Sequence, residues 1–147
     1  ITKRLTVSLK KKGIVIDTAT KVTKIEKSQL GFVVYAEGKK GELKYEAEKV
    51  LIAAGRIPVL EGLNLEGVGI EFDKKGIKVN SDYRTNIDGI YAIGDVNGKV
   101  MLAHAASHQG IHAVEKIMGL DRHSNNNVVP SCIFIFPEVS TVRIPIV

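Results

Sequence analysis

The residue best placed to do chemistry in this sequence is a carboxylate set directly behind an apolar run. Ile90-Tyr91-Ala92-Ile93 leads into Gly94-Asp95, the pattern of a buried strand ending where open α/β sheets hold their ligands. Gly94 has no Cβ, so a ligand or a second backbone can come close. Asp95 would then accept hydrogen bonds from ligand hydroxyls, worth about 1.5–3 kcal/mol when charge-assisted. Taken alone, however, Gly-Asp is also a common surface turn, and the dipeptide by itself favours that reading. His104 is either a reactive ring or a plain first-turn helix residue, and the sequence offers its ring no partner. His108 and His112 are one helical turn apart, a spacing that permits a metal pair, but no third ligand accompanies them and no metal is expected. Cys132 is the single cysteine, so neither an internal disulfide nor a four-cysteine zinc site can form. Beside Ile133 and Phe134 it reads as a buried small apolar side chain. Arg56 is either a cofactor-facing cation or a strand-end charge. Its neighbour Gly55 is the better ligand-facing position, because a backbone against a ligand needs the missing Cβ.

The composition bounds what these residues can serve. The 147 residues are 44% apolar and 25% charged with net charge +5, values of a soluble globular chain. No apolar run approaches the roughly 20 residues of a membrane helix, and Ile1-Thr2-Lys3-Arg4-Leu5 has no signal-peptide character. A cytoplasmic location is the expectation, with no membrane partner. The first 50 residues hold 12 Lys and Arg against 6 Asp and Glu. Those lysines alternate with apolar residues, as in Lys21-Val22-Thr23-Lys24-Ile25, which is a half-buried strand with a wet face. A nucleic-acid groove would interleave them with aromatics, so no nucleic-acid partner is expected.

The elements that must position these residues follow from periodicity. Ile1, Leu5 and Leu9 recur at helical spacing and Gly13 follows as a stop, so residues 1–12 are predicted helical. The chain opens in mid-helix with no N-cap, which suggests a truncated start. Ile14-Val15-Ile16 reads as a short strand. Alternation then predicts strands near 20–27, 31–37, 42–47 and 49–53, an antiparallel meander ending in an apolar strand. Residues 60–88 are irregular apart from Ile77-Lys78-Val79, residues 90–93 form a second buried strand, and residues 103–118 form a helix closed by Gly119. Asn125-Asn126-Asn127 is a polar linker and Val128 to Phe136 is β-prone. The fold class is α/β, or mixed α+β, with an antiparallel β-meander.

Several of these stretches, in their order and distance, resemble the pyridine nucleotide–disulfide oxidoreductases. Thr85 with its spacer and Ala92-Ile93-Gly94-Asp95 looks like the family's second flavin motif. Val50 to Pro58 looks like its Gly-Arg-x-Pro crossing between NAD and FAD domains. Met101-Leu102-Ala103-His104 with Gly110 looks like the start of its flavin-contacting helix. Pro130-Ser131-Cys132-Ile133-Phe134 with Pro137-Glu138 resembles the first strand of its dimerisation domain. Within the family the dihydrolipoyl dehydrogenases are the best match, through Leu-Ala-His and Pro-Ser-Cys-Ile-Phe.

The resemblance implies a fragment of a flavoprotein with two dinucleotide-binding domains. Residues 1–77 would close the NAD-binding domain, 78–126 would return to the FAD-binding domain, and 127–147 would begin the dimerisation domain. Asp95 would bind the ribitol of FAD. Met101, Leu102, Ala103 and His104 would offer it a helix N-terminus, whose free N–H groups and partial positive charge suit a reduced flavin. Gly55 and Val22 would lie against NAD, although Val22 as ordinary core is at least as good a reading. The parent would pass electrons from a dithiol through FAD to NAD, as a homodimer serving a lipoyl-bearing acyltransferase or carrier protein.

Parts of the family's equipment are not in this chain. No G-x-G-x-x-G opens a βαβ unit, and the redox cysteine pair is absent, so the chain alone is expected to be inactive. A truncated α/β piece would also expose unpaired strand edges and apolar faces, so self-association is expected. Ala105, His108 and Gln109 replace commoner basic or acidic residues, and Arg143-Ile144-Pro145-Ile146-Val147 departs from the pattern. Two alternatives stay open: another disulfide reductase of the glutathione or mercuric type, and a non-catalytic interaction module.

Overall fold

The computed structural model describes residues 1–120 and 128–143. It divides into one unit of residues 1–54 with 134–139 and another of residues 55–133 with the remainder. Among the described residues no helix is long and apolar enough to cross a membrane.

The first unit opens with α1, Thr2–Lys11, ended as the glycine predicts. Gly13 has φ +81°, its N–H donates to Lys10 O at 3.0 Å, and the Ile14 N–H donates to Leu9 O at 3.2 Å. This paired closure caps two of the orphan carbonyls of the last turn, and Lys10 and Lys11 sit at the negative end of the helix. Nothing lies within 4 Å of where a Gly13 Cβ would be, so Gly13→Ala meets only the left-handed penalty of about 1–2 kcal/mol. Thermal or urea unfolding should show a loss near the lower figure, since alanine also narrows the unfolded ensemble.

The meander follows as β1 Lys21–Ser28, β2 Gly31–Gly38 and β3 Gly41–Ala47, antiparallel in that order. Ser28 pairs with Gly31 and Gly38 with Gly41, so each hairpin turns on two residues. A bulge breaks the register between Val22 and Lys24. Ala36 is buried in the central strand. The Tyr45 hydroxyl donates to Asp17 Oδ2 at 2.7 Å, tying β3 to the segment before β1.

Two predicted strands of this unit do not form. Residues 14–16 and 49–53 lie outside any sheet, and Leu51 and Ile52 are 90% and 74% exposed. An apolar run becomes a strand only against a neighbour that takes its N–H and C=O groups, and no described residue supplies one.

The second unit has little regular structure and one small core. Leu65, Ile70, Ile77 and Ala92 are buried together, with Phe72, Ile87, Ile90 and Val96 against them. They come from α2 Leu65–Val68 and the loop after it, from the two-residue strands β4 Phe72–Asp73 and β5 Gly76–Ile77, and from residues 87–96 that follow them. The predicted strand at 77–79 thus shortens to its first residue. The predicted inner strand at 90–93 is corrected as well. Tyr91 makes an isolated bridge with Arg84, the Ala92 N–H donates to Tyr83 O at 2.9 Å, and Ile93 is exposed. The apolar run buries its middle but has no continuous partner strand among the described residues. Asn86 stitches the loops, accepting the Glu71 N–H at 2.8 Å and donating to Gly69 O at 2.8 Å.

Beyond the core come a 3₁₀ turn, Gly94–Asn97, and α3, Ala103–Ile117. Gly119, with φ +69°, follows α3 as predicted. The β-prone stretch becomes β6 Val129–Ile133, paired with β7 Val139–Arg143. Cys132 on β6 is exposed, which corrects the buried reading, since a two-stranded ribbon has no second layer to cover it. The linker at 125–127 and the tail at 144–147 lie outside the described residues.

Candidate functional site

The site is built where α3 meets the 3₁₀ turn. Ala105, Gln109 and Ala113 are the buried residues of α3, one turn apart each, and so form a narrow face of small side chains around one carboxamide. A Cβ on Gly94 would lie 3.2 Å from Ala106 Cβ, so the bare glycine lets the turn rest on the helix. Gly94 has φ +75°, a conformation that L side chains rarely adopt.

Polar atoms then lock the turn. Gln109 is 4% exposed. Its Oε1 accepts the Gly94 N–H at 2.8 Å and Asn97 Nδ2 at 2.8 Å. Asn97, also buried, donates to Ala92 O at 3.0 Å and accepts the Lys99 N–H at 3.0 Å. Both amide orientations follow from chemistry alone. A backbone N–H only donates and a carbonyl only accepts, so each side-chain oxygen and nitrogen has one consistent place.

Asp95 projects from this fixed turn with its side chain 41% exposed. Its carboxylate receives the Arg56 guanidinium, which makes Arg56 the cation facing Asp95. Thr85, nine residues before Gly94 and joined to it by a turn rather than a strand, is buried. Its hydroxyl donates to Ile90 O at 3.0 Å and accepts the Ile87 N–H at 3.1 Å, which closes the 85–90 turn leading into the site.

The other predicted residues fall as follows. Met101 and Leu102 are half-buried, while Ala103 and His104 are exposed in the first turn of α3. Leu102 is the N-cap and makes no side-chain capping bond, so the first N–H groups of α3 have no side-chain acceptor there. The His104 ring is engaged: Nε2 lies 2.9 Å from Pro130 O and must carry the proton, because the carbonyl only accepts. His112 Nε2 faces Asp82 Oδ1 at 2.9 Å, with the Tyr83 ring edge-on at 5.6 Å. Gly55 has φ +105° and open space where its Cβ would be. Val22 belongs to the other unit, beside the β1 bulge. It is 53% exposed, which removes the core reading of that residue.

The residues not foreseen are Gln109 and Asn97. Their signal was present. Gln109 is the lone polar residue at a spacing otherwise occupied by Ala105 and Ala113, and Asn97 sits inside Gly-Asp-Val-Asn-Gly, where a side-chain amide commonly closes a turn.

Comparison with known proteins gives a consistent outcome. Residues 1–110 match the family model described as pyridine nucleotide-disulphide oxidoreductase. A dihydrolipoyl dehydrogenase of Bacillus subtilis is 38% identical over 134 residues, covering 91% of this chain and 29% of the relative. The mitochondrial dihydrolipoyl dehydrogenase 2 of Arabidopsis thaliana is 40% identical over 145 residues, covering 97% and 29%. Among solved structures, LpdA of Mycobacterium tuberculosis superposes with TM-score 0.80 at 28% identity, over 96% of this chain and 30% of that one. The chain therefore spans less than a third of the length of these relatives.

Proposed function

The chain belongs to the pyridine nucleotide-disulphide oxidoreductase family, and on that premise we propose that it forms part of a flavin-dependent dihydrolipoyl dehydrogenase. FAD and NAD(H) are the cofactors that membership implies. The observation that carries the reading is Asp95, a half-exposed carboxylate on a turn whose neighbours Gly94 and Asn97 are buried.

The residues present suit a polyol such as the ribitol of FAD. An ionised carboxylate accepts from two hydroxyls at once, and the glycine before it holds no side chain over the approach. The uncapped N-terminus of α3 at 102–104 would face the flavin with free N–H donors, and Gly55 with Val22 would lie against NAD. When bound, FAD would carry electrons from a dithiol to NAD. The chain's own contribution would be to hold and orient it. We assign residues 1–77 to the NAD-binding domain, 78–126 to the FAD-binding domain and 127–147 to the start of the dimerisation domain, in a cytoplasmic homodimer that serves a lipoyl-bearing partner.

The complete protein, purified, should be yellow, release FAD on denaturation, and make NADH from dihydrolipoamide. Reduction of glutathione disulfide or mercuric ion in place of that reaction would overturn the lipoyl assignment. The 147-residue chain alone should make no NADH from dihydrolipoamide at any enzyme concentration, because its one cysteine cannot cycle as a disulfide. Measurable turnover by the pure chain would refute this.

A further inference from the structure

We propose that Gln109 and Asn97 are positioning residues for Asp95, so that α3 sets the direction in which the carboxylate meets a flavin's sugar-alcohol chain. The proposal deepens the reading of Asp95 above and rests on it. The geometry is a closed clasp. One oxygen, Gln109 Oε1, gathers the N–H of the residue before Asp95 and the side-chain amide of the residue two after it. The Gly98 N–H returns to Asp95 O at 3.0 Å. The backbone on both sides of Asp95 is thereby tied to one side chain of α3, while the carboxylate itself stays exposed.

None of the hydrogen bonds of either residue goes to the Asp95 carboxylate. Their effect on a ligand can pass only through the turn. Buried and nearly without solvent access, Gln109 has no water to replace its acceptor role. A Gln109→Leu change would leave the Gly94 N–H and an Asn97 N–H unpaired inside the protein, and unpaired buried donors force a local rearrangement. A glutamate at 109 keeps an acceptor in the same place, so it separates the hydrogen bond from the shape of the side chain.

The test uses the complete protein, stripped of flavin and titrated with FAD. Gln109→Leu should weaken FAD about 10-fold, the scale of one lost orienting interaction, and Gln109→Glu should stay within about 3-fold of the parent. Asp95→Asn should weaken FAD on its own, and adding Gln109→Leu to it should cost nothing further, because the clasp acts only through that carboxylate. Amide hydrogen exchange at Gly94 should accelerate in Gln109→Leu and not in Gln109→Glu. If Gln109→Leu does not fold, Asn97→Ala replaces it, removing one arm of the clasp, with the same non-additivity expected. Equal losses from Gln109→Leu in the parent and in Asp95→Asn would overturn the positioning role, as would Gln109→Leu without effect on FAD. Asp95→Asn without effect on FAD would instead sink the flavin reading, and the proposal with it.

Discussion

Gly98→Ala is expected to destabilise the second unit by about 3 kcal/mol or more, a large part of the 5–15 kcal/mol that holds a typical domain together. Gly98 has φ +64°, which charges a side-chain-bearing residue about 1–2 kcal/mol. The larger cost is contact. An added Cβ would lie 1.6 Å from Lys75 O, and a backbone carbonyl cannot swing aside as a side chain can. Opposite it, a Cβ on Gly76 would lie 2.7 Å from Val96 O. Two bare backbones therefore interlock where the loop before β5 meets the turn that carries Asp95, and forcing them apart adds overpacking strain of about 1–3 kcal/mol. Gly62→Ala is the control, with φ +82° but nothing within 4 Å, and should lose only about 1 kcal/mol. Urea unfolding of the two variants should separate them clearly. Equal losses would show that the close approach of the Lys75 carbonyl contributes nothing to the cost.

Asp95→Asn is expected to weaken FAD by about 10- to 100-fold, the worth of hydrogen bonds to a charged acceptor, about 1.5–3 kcal/mol. Folding should hardly change, because the Arg56–Asp95 pair is largely exposed and such pairs contribute about 0–1 kcal/mol. That separation of binding from stability distinguishes a ligand-holding carboxylate from a structural one. Asp88→Asn is the matched control. Asp88 also pairs with an arginine, Arg84, but its side chain is 90% exposed and outside the clasped turn, so the change should leave FAD affinity unchanged. An equal loss from both substitutions would point to general electrostatics in place of a site.

The parts of the fold that were readable from sequence are those whose partners lie close along the chain. The meander is local: β1, β2 and β3 pair through two-residue turns, so alternation and glycines suffice. Helices α1 and α3 satisfy their own backbones, and their ends carry Gly13 and Gly119. The runs at 14–16, 49–53 and 90–93 looked just as strand-like, yet strandedness there depends on neighbours that no local pattern names. The exposure of Cys132 has the same kind of reason, since apolar neighbours Ile133 and Phe134 imply burial only when a second layer exists. At the site, Asp95 was legible by its place behind an apolar run. Gln109 was visible only as a departure from expectation, because a polar residue on a helix discloses its role only when the face it shares with Ala105 and Ala113 is known to be inside.

The guanidinium of Arg56 against Asp95 has a consequence for how any polyol would be taken up. The guanidinium already satisfies one carboxylate oxygen, so taking up a polyol there would be an exchange in which neutral hydroxyls displace a cation. Raising ionic strength shortens the reach of that attraction, to about 8 Å at 0.15 M, and loosens the incumbent without touching the newcomer. At this one carboxylate, added salt should help an uncharged guest.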